Sequence, residues 1–174
     1  AAQTVNLSSN TPGSAVFSAT PGGTTVTSVS IPGGSSSVSF FYGDTKAAGP
    51  TITASGALTS ATQQETITAA AASKFAFTST AVSGAASSTA TVGPITVQEQ
   101  DTFGHPTTAA RTAHLASNTT GSAVFSATSG GTTGTSVVIH GGAASVNFIS
   151  GATTASGPTT TAHGQRTPAT PPKH

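Results

Sequence analysis

The chain has 174 residues, of which nine carry a formal charge, five Lys or Arg against four Asp or Glu. The cations Lys46, Lys74, Arg111, Arg166 and Lys173 are scattered, which excludes the clustered basic surface that nucleic acid requires. No apolar run approaches the roughly 20 residues that span a bilayer, and the lack of cysteine excludes disulfides and thiolate chemistry.

In chain order the apolar residues alternate with small polar ones. Val5 and Leu7 open a short strand, followed by Ala15, Phe17 and Ala19. Val29 and Ile31 mark the next, then Val38, Phe40 and Tyr42, then Ile52, and a stretch over 61–68 that includes Ile67. Thr11-Pro12-Gly13, Pro21-Gly22-Gly23 and Pro32-Gly33-Gly34 separate these segments as turns. Further strands are predicted over 74–80, 89–100, 109–117, 121–128, 134–140, 144–150 and 157–163. The period of two places one face of each strand on a core. Short strands broken by turns every 8–12 residues predict an antiparallel β-sandwich, and Ala69–Ala72 reads as a link. Thr, 35 residues of the chain, suits the solvent face of such strands because its β-branched side chain is polar.

The chain repeats itself. At an offset of 108, residues 7–56 match 115–164 at 34 of 50 positions, and the eight residues from Gly13 to Thr20 recur identically from Gly121 to Thr128. One period is the size of a small domain, so the chain holds about 1.6 copies. The expected organisation is residues 1–72 as a partial sandwich, 73–164 as a second sandwich lacking its last strand, and 165–174 as a Pro-rich tail or inter-subunit arm. Copy 2 exchanges Tyr42 for Ser150, Phe41 for Ile149 and Ile52 for Thr160. Loss of a buried aromatic costs roughly 3–5 kcal/mol, so copy 2 is expected to be the weaker copy and to lean on its neighbours.

After the strand ending at Val97, Asp101-Thr102-Phe103-Gly104-His105-Pro106 resembles the D-x-x-G-N-P turn of bacterial Ig-like repeats of intimin/invasin-type adhesins, with His105 in place of Asn. The Phe-rich strand before Gly43-Asp44-Thr45-Lys46-Ala47 and the Thr-Ile-Thr-Ala strand after it are similar to the same family, and to secreted actinobacterial repeat proteins. The resemblance implies an extracellular Ig-like sandwich that acts as a spacer or adhesive module without enzymatic activity. It also implies a test for a Lys–Asn isopeptide cross-link with a carboxylate beside it, for which Lys74, Asn147 and Glu99 or Asp101 have the residue types.

Catalytic, cofactor and metal sites find no motif: G-x-S-x-G, P-loop and H-E-x-x-H patterns are absent, and His105, His114, His140, His163 and His174 lack ligand spacing. Glu99 is in phase with Ile95 and Val97 and is expected to face inward, where it needs a partner; Lys74 is the candidate. Asn6-Leu7-Ser8 and Asn118-Thr119-Thr120 form glycosylation sequons, so Asn6 and Asn118 are candidate acceptors. With no Met anywhere, Ala1-Ala2-Gln3 suits a processed, exported protein.

The two copies are out of phase with the chain. Copy 1 lacks its first two strands, and an incomplete sandwich exposes sheet edges open to strand addition. A head-to-tail contact of that kind does not close and builds a fibre. The expected function is an extracellular filament or sheath subunit whose partner is itself. The rival expectation is a monomeric adhesin or spacer module of a longer cell-surface array, with a glycan or neighbouring cell surface as partner.

Overall fold

A computed structural model describes residues 1–119 and 122–164. The predicted tail, 165–174, lies outside the described residues. The protein is all-β: no helix occurs among the described residues, and the strands pair antiparallel throughout. Two compact units are present, Ala1–Ala69 and Ala70–His174.

The first unit holds β1 (Gln3–Ser9), β2 (Ala15–Ser18), β3 (Ser28–Ile31), β4 (Phe41–Asp44), β5 (Thr51–Gly56) and β6 (Ala61–Gln64). One sheet runs β3-β1-β5-β6, and β2 pairs with β4 in a second sheet of two strands. Leu7 and Ile52 from the first sheet and Phe17 from the second form the buried core, with Phe40 and Tyr42 half-buried against it.

The second unit holds β7 (Lys74–Phe77), β8 (Val92–Gln100), β9 (Arg111–Ser117), β10 (Ala123–Ser126), β11 (Thr133–Gly134), β12 (Ser136–Ile139), β13 (Ser145–Ala152) and β14 (Thr160–His163). Five strands form one sheet in the order β11-β10-β13-β8-β7, and three form the other in the order β12-β9-β14. Val97, Phe125 and Phe148 meet Ala113, Leu115 and Val137 between the sheets. Alternation explains the faces: along β9, Ala113 and Leu115 are buried while Ala116, on the other face, is exposed.

Turn chemistry is the same in both copies. Gly22 and Gly130 adopt positive φ, +64° and +65°, which an L side chain rarely tolerates. The following Gly23 and Gly131 lie so close to Thr20 and Thr128 that a Cβ would collide with the hydroxyl.

Three expectations are corrected. The strand over 61–68 stops at Gln64, and Ile67 makes only an isolated bridge to Ala48. The strand containing Val38 and Phe40 begins only at Phe41, although its counterpart in the second unit runs unbroken from Ser145. The reason is the neighbour: Ser145–Phe148 pair with Gln98–Ile95 of β8, whereas nothing in the first unit pairs with 37–40. β-Propensity measures fit to a sheet surface, so it is not expressed without one.

The third correction concerns relative strength. Copy 2 was expected to be the thinner, yet its core holds six buried residues against three in the first unit. Strands β7 and β8 supply the cover, bringing Phe75, Ile95 and Val97 onto Phe148, which becomes fully buried, while its counterpart Phe40 remains half-buried. Phe148→Ala is therefore expected to cost its unit about 3–5 kcal/mol, and Phe40→Ala clearly less. Urea unfolding followed by residue-resolved NMR reads each unit separately; equal losses would contradict this ranking.

Candidate functional site

Four chargeable groups of the second unit gather where edge strands β7 and β14 face each other. A cleft of 360 Å³ is lined there by Lys74, Phe75, Glu99, Arg111 and His163 among others. Glu99 faces inward as its phase with Ile95 and Val97 predicts, and its side chain is only 1% exposed. Thr107 donates its hydroxyl to Glu99 Oε1 at 2.8 Å. Arg111 Nε lies 3.2 Å from Glu99 Oε2, near enough to pair as ions but outside hydrogen-bonding geometry.

The partner of Glu99 is thus Arg111 and not Lys74. Lys74 sits opposite Gln100 on the edge strand and donates to the Thr102 carbonyl at 3.4 Å. Arg111 reaches Glu99 from the opposite sheet, a pairing with no local sequence signal. Only the inward phase of Glu99, which demands a partner, was legible.

Lys74, Asn147 and Glu99 are not brought together. Asn147 is exposed and pairs with Thr96 on β8, its Oδ1 accepting from the Thr96 hydroxyl at 2.8 Å. Lys74 and Asn147 lie on strands that flank β8 on opposite sides, four residues apart in register. At about 3.3 Å rise per residue, the arrangement holds no cross-link geometry.

Asn6 is exposed on β1. Asn118 is exposed too, but its Oδ1 accepts from Thr159 N–H at 2.8 Å. Asn10, its counterpart, receives Thr51 N–H at 2.9 Å in a triplet interrupted by Pro12, which is no sequon. The shared bond gives Asn118 a structural role, and Thr120 of its triplet lies outside the described residues.

Asp101 organises the turn after β8. Phe103 and His105 donate their backbone N–H groups to Oδ1 at 2.8 and 2.9 Å, and Ala70 donates to Oδ2 at 2.9 Å. His105 Nδ1 stands 3.0 Å from Oδ2; an ionised carboxylate only accepts, so this nitrogen carries the hydrogen. His105 thus supplies a side-chain donor to its own turn. Burial alone would push the Asp101 carboxyl up, but the bonds from His105, Ala70 and Phe103 outweigh it and hold it well below the usual carboxylate range.

Asp44 plays a comparable part in the first unit. Tyr42 OH donates to its Oδ2 at 2.6 Å, Thr11 Oγ1 donates to the same oxygen, and Lys46 N–H meets Oδ1 at 2.8 Å. Desolvation again opposes ionisation, and the donors from Thr11, Tyr42, Ser14 and Lys46 overcome it, so this carboxyl is also held well below the usual range. Ala152 replaces it in the second unit.

His114 and His163 stack with ring centroids 5.8 Å apart. Among the described residues, no group of three or more His, Asp or Glu gathers as metal ligands, and no helix is long and apolar enough to cross a membrane. The carboxylates here are held by hydroxyls, backbone amides and one Arg, an arrangement that orders turns and strand ends.

No family model, curated protein or solved structure matches the chain.

The lowered carboxyls set an acid dependence. As pH falls, the unfolded chain takes up protons near its carboxylate pKa of about 3.9 while Asp101 and Asp44 stay ionised in the folded state. Their contribution is complete above that value and is lost as pH drops below it toward the folded-state values. Urea midpoints are expected to be flat from neutral pH to about 5 and to fall below about 4. Asp101→Asn is expected to lower the neutral-pH midpoint of the second unit and to flatten its acid limb; an unchanged limb would contradict the assignment.

Proposed function

We propose that the chain is a structural, non-catalytic protein of the cell exterior, a subunit that joins further copies end to end in a filament or sheath by adding strands to its incomplete first sandwich. The observation that carries this reading is the open edge at β4. In the second unit the equivalent edge is covered by β8 and then β7, while in the first β4 pairs with β2 alone. Phe41 and Val16 stand 45% and 47% exposed on this two-stranded sheet. An uncovered edge with apolar side chains is a template for intermolecular pairing. Proteins that avoid it place charge there, and the strand over Phe41–Asp44 carries only Asp44, whose carboxylate is consumed by its own turn.

A second reading has its own support. The second unit completes itself with β7 and β8, which directly precede the repeated segment in the chain. That order suits an adhesin or spacer array in which every copy carries its own ribbon, as the resemblance of Asp101–Pro106 to bacterial Ig-like turns implies.

Light scattering and electron microscopy of the purified chain separate the readings. Growth with concentration into filaments, suppressed by Phe41→Lys without a change in melting temperature, is the outcome expected of assembly. A 16.6 kDa monomer at every concentration would overturn it and favour the spacer module.

A further inference from the structure

The two copies differ most in chemistry at one inward position. Tyr42 faces Phe17 in the register of β2 and β4, with ring centroids 5.2 Å apart. Its hydroxyl lies 3.1 Å from Ser9 Oγ and 3.3 Å from Thr11 Oγ1, and the two hydroxyls are 2.9 Å from each other. In the second unit Ser150 occupies the same register opposite Phe125, and Ala152 replaces Asp44. The rest of the setting is retained. Ser117 Oγ and Thr119 Oγ1 are again 2.9 Å apart, and the Phe125–Phe148 pair at 5.9 Å repeats Phe17–Phe40 at 6.0 Å.

Where the ring is missing, a groove of 590 Å³ opens. Phe77, Ile95 and Phe125 give it apolar walls, and Ser117, Ser150 and Ala152 line it as well. An apolar space with a few convergent polar groups is the usual form of a small-molecule site, and an apolar cavity left by a missing side chain can take up a small aromatic molecule.

We infer that this groove in the second unit binds a small free phenol, seated against Phe125 with its hydroxyl at Ser117, whose Oγ lies 2.9 Å from Thr119 Oγ1. The first unit shows that its counterpart residues hold a phenol ring with a hydroxyl at that place. The sole tyrosine of the chain cannot act as the ligand from a second copy, because Tyr42 is engaged by Ser9, Thr11 and Asp44 in its own unit. The occupant is therefore a molecule from outside.

The probe is 4-methylphenol, the tyrosine side chain cut at Cβ, titrated into the full chain and followed by NMR. Saturable shifts at the amides of Ser117, Phe125 and Ser150, with Phe17 and Tyr42 unmoved, are expected. Toluene is expected to bind more weakly, and Ser117→Ala to erase that preference. Ser150→Tyr is expected to abolish binding and raise the melting temperature by filling the groove. Absence of saturable shifts, or equal binding of toluene to the unaltered chain, overturns the inference. Tighter binding of N-acetyltyrosinamide than of 4-methylphenol would overturn the free phenol in favour of a partner polypeptide's tyrosine.

Discussion

The antiparallel pairing of β13 with β8 is the contact on which the rest of the second unit depends. It lays backbone hydrogen bonds along Ser145–Phe148, brings Val97 and Ile95 over the inner face, and through β8 attaches β7 as well. Residues 37–40 share three of four side chains with that segment, yet form no strand in the first unit because no neighbour receives their backbone groups. A buried backbone needs its partners satisfied, and a strand is therefore a property of two segments. The duplicated sequence serves as its own control: one copy has the partner and the other does not.

Burial follows pairing. Phe148 and Phe40 are the same residue type in the same position, each at an edge-to-face distance from the Phe of the neighbouring strand. What separates full burial from half burial is the β7–β8 ribbon above one of them. Hydrophobic stabilisation scales with the apolar area removed from water, so the copy whose repeated segment kept fewer aromatic residues, two against four, has the larger core. In the other copy Tyr42, Thr11 and Asp44 form a polar cluster that ties β4 to the turn after β1. Asp101 ties the start of the second unit to the turn after β8 in the same manner. With nine formal charges in the chain, two of four carboxylates are spent on turns and a third on an internal ion pair, leaving the sheet edges nearly uncharged.

Much of this was legible in advance. Strand positions followed from alternation and turn residues: β8 to β10, β12 and β14 lie within the segments expected of them, and β13 runs two residues past the expected 144–150. The inward direction of Glu99 followed from its phase with Val97. Its partner did not: Arg111 belongs to the opposite sheet, and Lys74, closer to the expected place, points along an edge strand to the Thr102 carbonyl. The cross-link set of Lys74, Asn147 and Glu99 failed for the same reason, since residue types carry no information on which strands flank β8. The groove at Ser150 was visible in the sequence only as a lost aromatic, a sign of weakness. Its shape depends on what Phe77 and Ile95 place around it.

The sequence by itself determined the class of structure, the positions of most strands and turns, and the duplication, because these depend on period, dihedral preference and local identity. Which strands pair, which copy acquires the larger core, which cation meets Glu99 and where a groove opens beside Ser150 were decided only by tertiary structure. Each of these depends on a neighbour distant in the chain, and the near-identity of the two copies leaves the neighbour as the deciding difference.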